Sequence, residues 1–522
     1  MSREVSRAAA VALTGLTGTP VMVEAAVSQQ LPGMAIIGLP DTALAEAKLR
    51  VRTATAHVGM PVSERFVTIN LAPASLPKHG SGFDLAIALS ALAASGRIPA
   101  RRLSEVVHLG ELALDGELRR PAGLLSSAIA ARTLGFRRVM VPESCAREAS
   151  LVPGVEIVPV RGLLDAVEWY RAGAPPLTGE AAPAVDGESA PAAACALDSP
   201  HALDMADVIG QPEAVEAFAV AAAGRHHISL TGPPGAGKTL LASRLPSILP
   251  DLTDSESLEA SSIASLGGSP LMALVRRPPF ESPHHTASAV SIIGGGGGNE
   301  VRPGAITRAC HGILFLDEAP EYGRAVLDAL RQPLENGIVE IHRSRVRATL
   351  PARVQLVLAS NPCPCGNAGS PDTATECRCT PSVRSRYQQR ISGPLSDRID
   401  VRLVLRRVPR ALLGADEGRS ASSRALRRRV EQARAQASER LRGTPWRVNA
   451  EVPGSWLRAR DMRLPKGDTA VLDRALDLGS LTMRGYDRAL RLAWSIADLS
   501  GRDRPGRSEL ARALALRGGS AA

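Results

Sequence analysis

The sequence predicts a multidomain α/β protein, with an α/β domain at the amino terminus, an α/β core built on a parallel sheet, and a helical region at the carboxyl end. Three observations lead to this prediction. The 522 residues are enough for about three domains of ordinary size. Strand-like apolar runs alternate with helix-like runs over most of the chain. From about residue 409 onward only the helical periodicity remains.

The first predicted domain spans residues 1–172. Its strand-like and helix-like runs are FVTINLAP (66–73), DLAIALSALAASG (84–96), VVHLGEL (106–112), GLLSSAIAARTLG (123–135) and RRVMVPE (137–143). Such alternation is typical of an α/β domain. Residues 173–200 are rich in Ala, Pro, Gly and Ser without apolar periodicity, which predicts a flexible linker.

The second predicted domain spans 201–408, and the third spans 409–522. In the second, ISLTGPPGAGKT, ILFLDEAP (313–320) and VQLVLASNP (354–362) are short apolar runs that end in polar or glycine-rich turns. Buried parallel strands have this pattern. In the third, RALRRRVEQARAQASERLR (424–442), DTAVLDRALDLG (468–479) and YDRALRLAWSIADLSG (486–501) predict a helical lid.

Composition narrows the class of protein. Apolar residues make up 44% of the chain and charged residues 22%, which is the balance of a folded chain and excludes a largely disordered one. No run approaches the roughly 18 uncharged apolar residues of a membrane span, and the amino terminus does not resemble a secretion signal. We therefore expect a cytoplasmic protein without a membrane partner.

The basic excess is concentrated in one segment. The chain has 62 basic and 52 acidic residues, which gives a net charge of +10. The segment from Arg402 to Arg442 contains twelve arginines but only four acidic residues. Such a run forms either a solvated helix face or a surface that binds the phosphates of a polyanion. Charge alone does not separate these two interpretations.

A phosphate-binding loop lies at the start of the second domain, because residues 232–239 match GxxxxGK[ST] between an apolar strand and a helix. Glycines let the backbone N–H groups turn toward phosphates, and the helix N-terminus adds its dipole. We expect Lys238 to reach the β- and γ-phosphates and the Thr239 hydroxyl to bind Mg²⁺. The predicted ATP site comprises Gly232, Pro233, Pro234, Gly235, Ala236, Gly237, Lys238 and Thr239.

Three further motifs supply polar groups near strand ends. After the strand ILFL, Asp317 is suited to hold Mg²⁺ and Glu318 to polarise the attacking water, although an ordinary strand-end turn has the same pattern. Asn361 ends a third strand, where it either orients that water or simply forms a turn before Pro. Arg398 lies between two aspartates; it is either a locally paired arginine or an arginine finger that reaches a neighbouring subunit, which requires an oligomer.

Together these residues resemble the Mg-chelatase-like branch of AAA+ ATPases, and most closely the YifB/ComM family. The resemblance covers nearly the whole chain and includes GMAIIGLPDTALAEAKLRVRTA (33–54), FVTINLAPASLPKHGSGFDLAIAL (66–89), SPHHTASAVSIIGGG (282–296), PGAITRACHGILFLDEAPE (303–321), ASNPCPCG (359–366), RYQQRISGPLSDRIDV (386–401) and RGYDRALRLAWSIADL (484–499). Several of these motifs are specific to the family.

The resemblance implies roles for single residues. Lys238 and Thr239 match Walker A, Asp317 and Glu318 match Walker B, Asn361 matches sensor 1 and Arg398 the arginine finger. Sensor 2 is expected to be an arginine of the lid, with Arg484 preferred and Arg488 as the alternative.

The same resemblance implies an activity and an assembly. It implies ATP and Mg²⁺ as cofactors, a homohexameric ring, and an ATP-driven DNA helicase that promotes branch migration in recombination and natural transformation. A chaperone-like remodeller of protein complexes is the alternative. A Mg-chelatase subunit is disfavoured, because the chelatase motor subunit lacks the amino-terminal domain expected here.

Arginines at a hairpin are candidate DNA contacts. In NGIVEIHRSRVRATLPARV (336–354), Arg343, Arg345 and Arg347 recur at period two on one face, and in related ring helicases a hairpin before sensor 1 projects into the pore. Three arginines on one face would contact successive phosphates. The alternative is a solvated basic edge that discourages strand pairing.

The amino-terminal domain resembles the proteolytic domain of Lon, which has the ribosomal S5 domain 2-like fold. Against the Lon pattern PKDGPSAG this chain has Pro77-Lys-His-Gly-Ser-Gly-Phe-Asp84, so Gly82 takes the place of the nucleophilic serine and Ser81 lies one position early. Leu125 occupies the position of the general-base lysine. A Ser–Lys dyad needs both groups within hydrogen-bond reach, and we therefore predict no peptidase activity.

Four of the seven cysteines, Cys363, Cys365, Cys377 and Cys379, form a compact insert at 363–379. In a cytosolic chain such clustering indicates a metal more readily than a disulfide. Zn²⁺ accepts four thiolates, although C-x-C pairs are tighter than the usual C-x₂-C spacing. A reduced turn without metal is the alternative, and we favour zinc.

Overall fold

The computed structural model describes residues 5–38, 41–62, 66–73, 82–173, 203–268, 270–295, 301–342, 347–368, 376–408 and 420–521. The predicted mixed α/β class is confirmed, because the chain forms a seven-stranded and a six-stranded sheet with many helices. Apart from Gly173, the predicted linker lies outside the described residues. Within those ranges, no helix combines the length and the apolar character needed to cross a membrane.

Within its described residues, the amino-terminal domain has nine strands, seven of which form one mixed sheet while β6 and β7 pair separately. Its strands are β1 (Ser6–Thr14), β2 (Thr17–Ser28), β3 (Gly33–Ile37), β4 (Phe66–Ala72), β5 (Val106–His108), β6 (Glu111–Leu112), β7 (Leu118–Arg119), β8 (Arg138–Pro142) and β9 (Glu156–Val160), and its helices are α1 (Asp41–His57), α2 (Asp84–Ala94), α3 (Leu124–Thr133), α4 (Ala146–Ala149) and α5 (Leu163–Arg171). The order is β3-β4-β2-β1-β5-β8-β9. The apolar α2 is buried almost completely against it.

The core contains the second sheet and a separate hairpin. Its strands are β10 (Ile228–Thr231), β11 (Phe280–Glu281), β12 (Gly294–Gly295), β13 (Arg302–Pro303), β14 (Ile313–Leu316), β15 (Ile338–His342), β16 (Arg347–Pro351), β17 (Gln355–Ser360) and β18 (Val401–Val404). Its helices are α6 (Pro212–Gly224), α7 (Lys238–Ile248), α8 (Asp254–Leu266), α9 (Ala289–Ile293), α10 (Ala305–Arg308), α11 (Arg324–Ala329), α12 (Arg331–Asn336), α13 (Pro381–Gln388) and α14 (Gly393–Ser396).

The carboxyl-terminal region is helical, as predicted, and packs directly on the core. It comprises α15 (Ser423–Arg440), α16 (Gly454–Leu457), α17 (Lys466–Asp477), α18 (Met483–Leu499), α19 (Arg507–Gly518) and a short last strand β19 (Ser520–Ala521). Helices α15 and α18 both contact α6. Leu230 of β10, Val430 of α15 and Trp494 of α18 belong to one hydrophobic cluster, so the core and these helices share their apolar interior.

The order of the core sheet positions the site. It is β11-β14-β17-β10-β18-β19 with every pair parallel. Strands β14 and β17 are buried at every residue, which explains their unbroken apolar runs. Since parallel strands point the same way, the segments that follow β10, β14 and β17 meet where the carboxyl ends of the strands lie, here called the carboxyl edge. The opposite side, where the strands begin, is the amino edge.

The amino-terminal domain docks on the core at two places. Helix α3 packs on α8, where Arg120 pairs with Glu148 at 2.9 Å and the hydroxyl of Ser265 donates to Glu148 at 2.6 Å. The turn between β1 and β2 lies on the hairpin, and a Cβ at Gly15 would lie 3.1 Å from Leu350. These contacts hold the domain against α8 and the β15–β16 hairpin.

Candidate active site

The phosphate-binding loop connects β10 to α7, as its sequence predicts. Gly235 and Gly237 adopt left-handed φ values of 79° and 81°, which glycine reaches without steric cost. A Cβ at Gly232 would lie 2.7 Å from the carbonyl oxygen of Leu405, so this position also requires glycine. Helix α7 begins at Lys238, and its N–H groups and dipole favour an anion at the loop.

Lys238 connects the loop to Asn361 at the end of β17. Its Nζ donates to the carbonyl oxygens of Gly232 at 2.6 Å and Pro233 at 3.1 Å, and to Oδ1 of Asn361 at 3.0 Å. Burial lowers the pKa of the Lys238 amine, and the charges of Asp317 and Glu318 oppose this shift. The structure therefore brings the predicted Walker A lysine and sensor 1 asparagine into direct contact.

Thr239 and Asp317 form a second pair at the same edge. The Thr239 hydroxyl donates to Oδ2 of Asp317 at 2.7 Å. A hydroxyl and a carboxylate are oxygen ligands of the kind that Mg²⁺ prefers, usually together with waters and substrate phosphates. The chemistry and the proximity of these two side chains fit the predicted magnesium site.

Glu318 has an uncommon backbone. Its φ is +50°, which is rare for a residue other than glycine, and its N–H donates to Oδ1 of Asp317 at 2.9 Å. Such conformations persist where the surrounding structure imposes them, and they cluster at functional sites. The Glu318 carboxylate is exposed, and its charge acts on Lys238 of the phosphate-binding loop.

The sequence motifs do not single out His285 as a site residue, although it lies in the family segment SPHHTASAVSIIGGG (282–296). Its Nδ1 lies 3.3 Å from Oε2 of Glu318. Strand β11 pairs with β14, and the Tyr322 hydroxyl donates to the carbonyl oxygen of Pro283 at 2.5 Å, so the histidine segment is fixed beside the carboxylate. Nothing in the local sequence predicts which strand end faces Glu318.

The predicted arginine finger, Arg398, and the two lid arginines, Arg484 and Arg488, lie at the amino edge of the sheet. Arg398 donates to the carbonyl oxygen of Pro394 at 2.6 Å and pairs with Glu335. Together with Arg484 and Arg488 it lines a cavity of about 890 Å³. His227, Val354 and Asp400 line the same cavity and lie just before β10, β17 and β18, respectively.

Arg484 and Arg488 differ in their contacts. Arg488 donates to the carbonyl oxygen of Arg398 at 2.9 Å and to Oδ1 of Asp400 at 2.7 Å. Burial alone would raise the pKa of Asp400, but the hydrogen bond with His226 and the charge of Arg488 hold it below its usual range. Arg484 is exposed, one helical turn earlier on α18. Arg488 is thus engaged in a buried network.

Within one chain, the length of the strands separates the phosphate-binding loop from Arg398 and the lid arginines. Strand β10 has four residues, and at about 3.3 Å per residue it alone spans roughly 13 Å. The phosphate-binding loop follows β10, whereas Arg398 precedes β18, its parallel neighbour. Arg398 and the lid arginines therefore lie at the opposite end of the sheet from the loop of their own chain.

The hairpin has the predicted antiparallel form. Strands β15 and β16 pair with His342 opposite Arg347, and Val339, Ile341 and Leu350 are buried while Arg347 is exposed. Arg343 and Arg345 lie outside the described residues. Of the three predicted DNA contacts, only Arg347 is thus placed by the structure, on the solvent face.

Most arginines of α15 are engaged within the chain. On α15, Arg429 pairs with Glu216 at 2.8 Å, Arg440 pairs with Asp498 at 2.6 Å, and Arg434 donates to the carbonyl oxygen of Ala222 at 2.8 Å. These side chains fasten α15 to α6 and α18. The basic surplus of this helix therefore has a structural role in large part.

The four cysteine thiols converge. The Sγ atoms of Cys363, Cys365, Cys377 and Cys379 all lie within 4.8 Å of one another, with 3.3 Å between Cys363 and Cys365 and 3.5 Å between Cys365 and Cys377. A hydrogen bond from the N–H of Asn367, together with those from the neighbouring thiols, lowers the pKa of the Cys365 thiol to about 6. Four convergent sulfurs fit a tetrahedral metal site.

The positions relevant to peptidase chemistry are partly described. Leu125 is fully buried in α3, while Lys78 and Ser81 lie outside the described residues. A Cβ at Gly82 would lie 3.5 Å from Pro121. The absence of peptidase activity stays a prediction.

Comparisons with known proteins cover all three regions. The family described as "Magnesium chelatase, subunit ChlI" matches residues 204–413, "Subunit ChlI of Mg-chelatase" matches 23–145, and "Magnesium chelatase, subunit ChlI C-terminal" matches 420–517. The competence protein ComM of Haemophilus influenzae is 38% identical over 504 residues, 96% of this chain and 95% of that protein. The uncharacterized protein YifB of Escherichia coli is 38% identical over 511 residues, 97% and 96% of the two chains.

The chain belongs to the YifB/ComM family of Mg-chelatase-like AAA+ proteins. An uncharacterized protein of Mycobacterium tuberculosis is also 44% identical over 513 residues, 98% of each chain. Membership in this family indicates ATPase activity and is compatible with ATP and Mg²⁺. Because the model that matches the amino-terminal region also carries the chelatase name, this domain alone does not exclude a chelatase subunit.

Proposed function

We propose that this chain hydrolyses ATP at a site completed by a second copy of itself. One observation carries the proposal. Thr239, Asp317, Lys238 and Asn361 contact one another in pairs at the carboxyl edge of the parallel sheet, while Arg398 lies at the amino edge with the lid arginines. A ring that sets the amino edge of one chain against the carboxyl edge of the next would bring both groups to one nucleotide.

Each residue has a distinct task in this proposal. The loop N–H groups and Lys238 bind the phosphates, while Thr239 and Asp317 hold Mg²⁺, which neutralises charge on the phosphates when it is bound. Glu318 accepts a proton from the attacking water, and Asn361 orients that water. Arg398 of the adjacent copy stabilises the charge that develops on the γ-phosphate, a contribution worth roughly 10³- to 10⁵-fold in rate in other ATPases and GTPases.

A mixing experiment tests the shared site. Glu318→Gln and Arg398→Ala chains are each expected to be inactive, but about one interface in four of a randomly mixed ring would combine an intact Glu318 with an intact Arg398. Activity should therefore return on mixing. Lys238→Ala mixed with Glu318→Gln is the matched control, because both residues lie at the same edge of one chain and no intact site forms. Equal results for both mixtures would refute the shared site.

We further propose that the ring is a homohexameric DNA motor, a helicase that promotes branch migration. Support comes from the full-length similarity to a protein named for competence and from the hairpin, whose solvent face carries Arg347. A basic side chain there would contact a phosphate without reading sequence. Remodelling of a protein complex is the second candidate, and the internal pairing of the α15 arginines favours it because it reduces the basic surface available to DNA.

DNA-stimulated ATP hydrolysis separates these two candidates. A DNA motor should hydrolyse ATP faster with single-stranded or branched DNA, and added salt should weaken the response. Arg347→Ala should reduce the slope of log affinity against log salt by about one. Arg161→Ala, which removes an exposed arginine of the amino-terminal domain, is the control. Hydrolysis that is indifferent to every form of DNA would favour the protein remodeller.

The proposal also includes one zinc ion held by Cys363, Cys365, Cys377 and Cys379. Convergence of four sulfurs supports a Cys₄ site. Metal analysis of protein purified under reducing conditions should find about one zinc per chain. Zinc well below that level in active protein would refute this site.

A further inference from the structure

The four-cysteine cluster lies directly against the phosphate-binding loop. Gly366 has a left-handed φ of 81°, and a Cβ at this position would lie 2.6 Å from Cδ of Pro234 and 2.8 Å from its Cγ. The N–H of Gly366 donates to the carbonyl oxygen of Cys363 at 2.9 Å, which closes the turn that carries two of the thiols. Only glycine fits between this turn and the loop.

A second connection runs through the backbone of β17 and its continuation. Asn361, which accepts from Lys238 Nζ at 3.0 Å, lies two residues before Cys363, and Cys363 is fully buried. Gln388 of α13 donates to the carbonyl oxygen of Pro362 at 3.3 Å. The cluster is thus joined to the nucleotide site in two ways. Gly366 packs against Pro234 of the loop, and the backbone from Asn361 to Cys363 connects the cluster directly to the sensor asparagine.

The far side of the cluster is tied to α13. Arg384 Nε donates to the carbonyl oxygen of Cys379 at 3.0 Å, and Arg390, just beyond that helix, donates to the carbonyl oxygen of Pro320 at 3.1 Å and pairs with Glu321 at 3.0 Å. The segment from Cys379 to Arg390 therefore returns to the turn after Glu318. A metal at the cluster would link the turn that follows β17 to the segment that leads through α13 to Arg390.

We propose that the metal-loaded cysteine cluster is a brace for the phosphate-binding loop, so that zinc occupancy and nucleotide affinity are coupled. This inference rests on the proposed ATP and zinc sites. With all four sulfurs on one ion, the turn at Gly366 is fixed and limits the positions open to Pro234 and to Asn361. Without the ion, the turn loses its cross-link, and ordering the loop around phosphates costs more conformational entropy.

Coupling of this kind is reciprocal. If zinc raises the affinity for nucleotide by some factor, nucleotide raises the affinity for zinc by the same factor, and typical factors are about 5- to 150-fold. We expect the dissociation constant for a fluorescent ADP analogue to rise at least about fivefold after zinc removal. Saturating ADP should raise the zinc affinity, measured by competition with a chelator of known affinity, by an equal factor.

Gly366→Ala isolates the contact, because all four thiols remain. The variant should keep zinc at the wild-type ratio while the two affinities become independent. Pro234→Ala weakens the same contact from the loop side without a left-handed alanine and covers the case in which Gly366→Ala does not fold. Cys365→Ser removes one ligand and should lower both zinc content and ADP affinity, whereas Cys145→Ser, a buried thiol outside the cluster, should change neither.

The possible failures are distinguishable. Zinc and ADP that both bind but do not affect each other would overturn the brace while leaving both sites in place. A chain without zinc would overturn the brace together with the zinc site. Bound zinc without ADP binding would overturn the brace together with the proposed ATP site. Coupling that persists unchanged in both Gly366→Ala and Pro234→Ala would show that it does not pass through this contact.

Discussion

Two arginines of α18, Arg484 and Arg488, are predicted to have separate roles that a matched pair of substitutions can expose. Arg488→Ala should destabilise the fold, because Arg488 bonds to the buried carboxylate of Asp400 at 2.7 Å. Arg484→Ala should leave stability unchanged within about 0.5 kcal/mol, as is usual for an exposed position. The sites lie one helical turn apart, so both variants make the same chemical change in the same helix.

The contacts set the size of the effect. Removing one partner of a buried ion pair costs about 3–5 kcal/mol. The lower end applies here, because the Arg488 side chain keeps 21% of its exposure and Asp400 also accepts from His226 at 3.3 Å and from the N–H of His227 at 3.4 Å. With an unfolding entropy of about 2.1 cal/mol/K per residue over roughly 300 cooperative residues, a loss of about 3 kcal/mol lowers Tm by about 5 °C.

Calorimetry or denaturant titration measures the stability of each variant, and steady-state hydrolysis measures its activity. Arg484→Ala should fold normally but lose at least ~100-fold in turnover if Arg484 acts on the nucleotide of the adjacent chain. A stable Arg488→Ala would refute the structural role of Arg488. Normal turnover in Arg484→Ala would remove Arg484 as the sensor, and loss of stability in that variant would contradict its exposed position.

Three further predictions concern single residues. Glu318→Gln should bind a fluorescent ATP analogue with wild-type affinity but fail to turn over, and full turnover would exclude Glu318 as the base. His285→Ala should lower kcat by up to about fivefold at unchanged KM, because losing a partly exposed polar contact of at most about 1 kcal/mol leaves the Glu318 carboxylate less well oriented. His285→Asn should restore part of that rate. An equal loss in both variants, or in His284→Asn, would indicate a merely structural effect. Burial lowers the pKa of His108 from 6.5 to about 4, so the unfolded chain binds more protons between these values and stability should fall as pH drops from 6.5 toward 4, by up to roughly 3 kcal/mol. His108→Gln, which keeps polar atoms near Ala9 and Tyr170, should remove much of that slope in denaturant titrations, and an unchanged slope would rule out His108 as its source.

Local pattern was sufficient to predict several elements of secondary structure. The segment 84–96 was predicted as a helix and forms α2 over Asp84–Ala94, and 137–143 was predicted as a strand and forms β8 over Arg138–Pro142. In these segments apolar spacing agrees with the burial that tertiary packing imposes. The run 106–112 divides into β5 and β6, because residues 109 and 110 leave the seven-stranded sheet, and periodicity over so few residues does not show such a break.

The candidate site also has some contacts that the sequence predicts and others that it does not. Lys238, Thr239, Asp317 and Asn361 follow apolar strands in sequence, and parallel pairing brings strand ends together, so their proximity follows from local pattern. The contact of His285 with Glu318 was not predictable, because it depends on β11 lying beside β14 at the sheet edge. The pairing of α15 arginines with Glu216 and Asp498 joins residues far apart in sequence, so a count of charges in one segment does not reveal it.

The two edges of the core sheet explain why the regulation of this site is expected to be indirect. At the carboxyl edge, Lys238 and Asn361 are joined to the cysteine cluster, and at the amino edge Arg398 pairs with Glu335 on α12, the helix that leads into the β15–β16 hairpin. A polymer that contacts the hairpin would therefore first move Arg398, which is proposed to reach the nucleotide of the adjacent chain. It would change the rate of hydrolysis only through that nucleotide. A metal at the cysteines would act instead on the chain's own nucleotide. In the proposed ring, substrate and metal would thus act on different halves of one catalytic site. Their effects on turnover would multiply only where the two halves act independently, and varying both together measures the coupling between them.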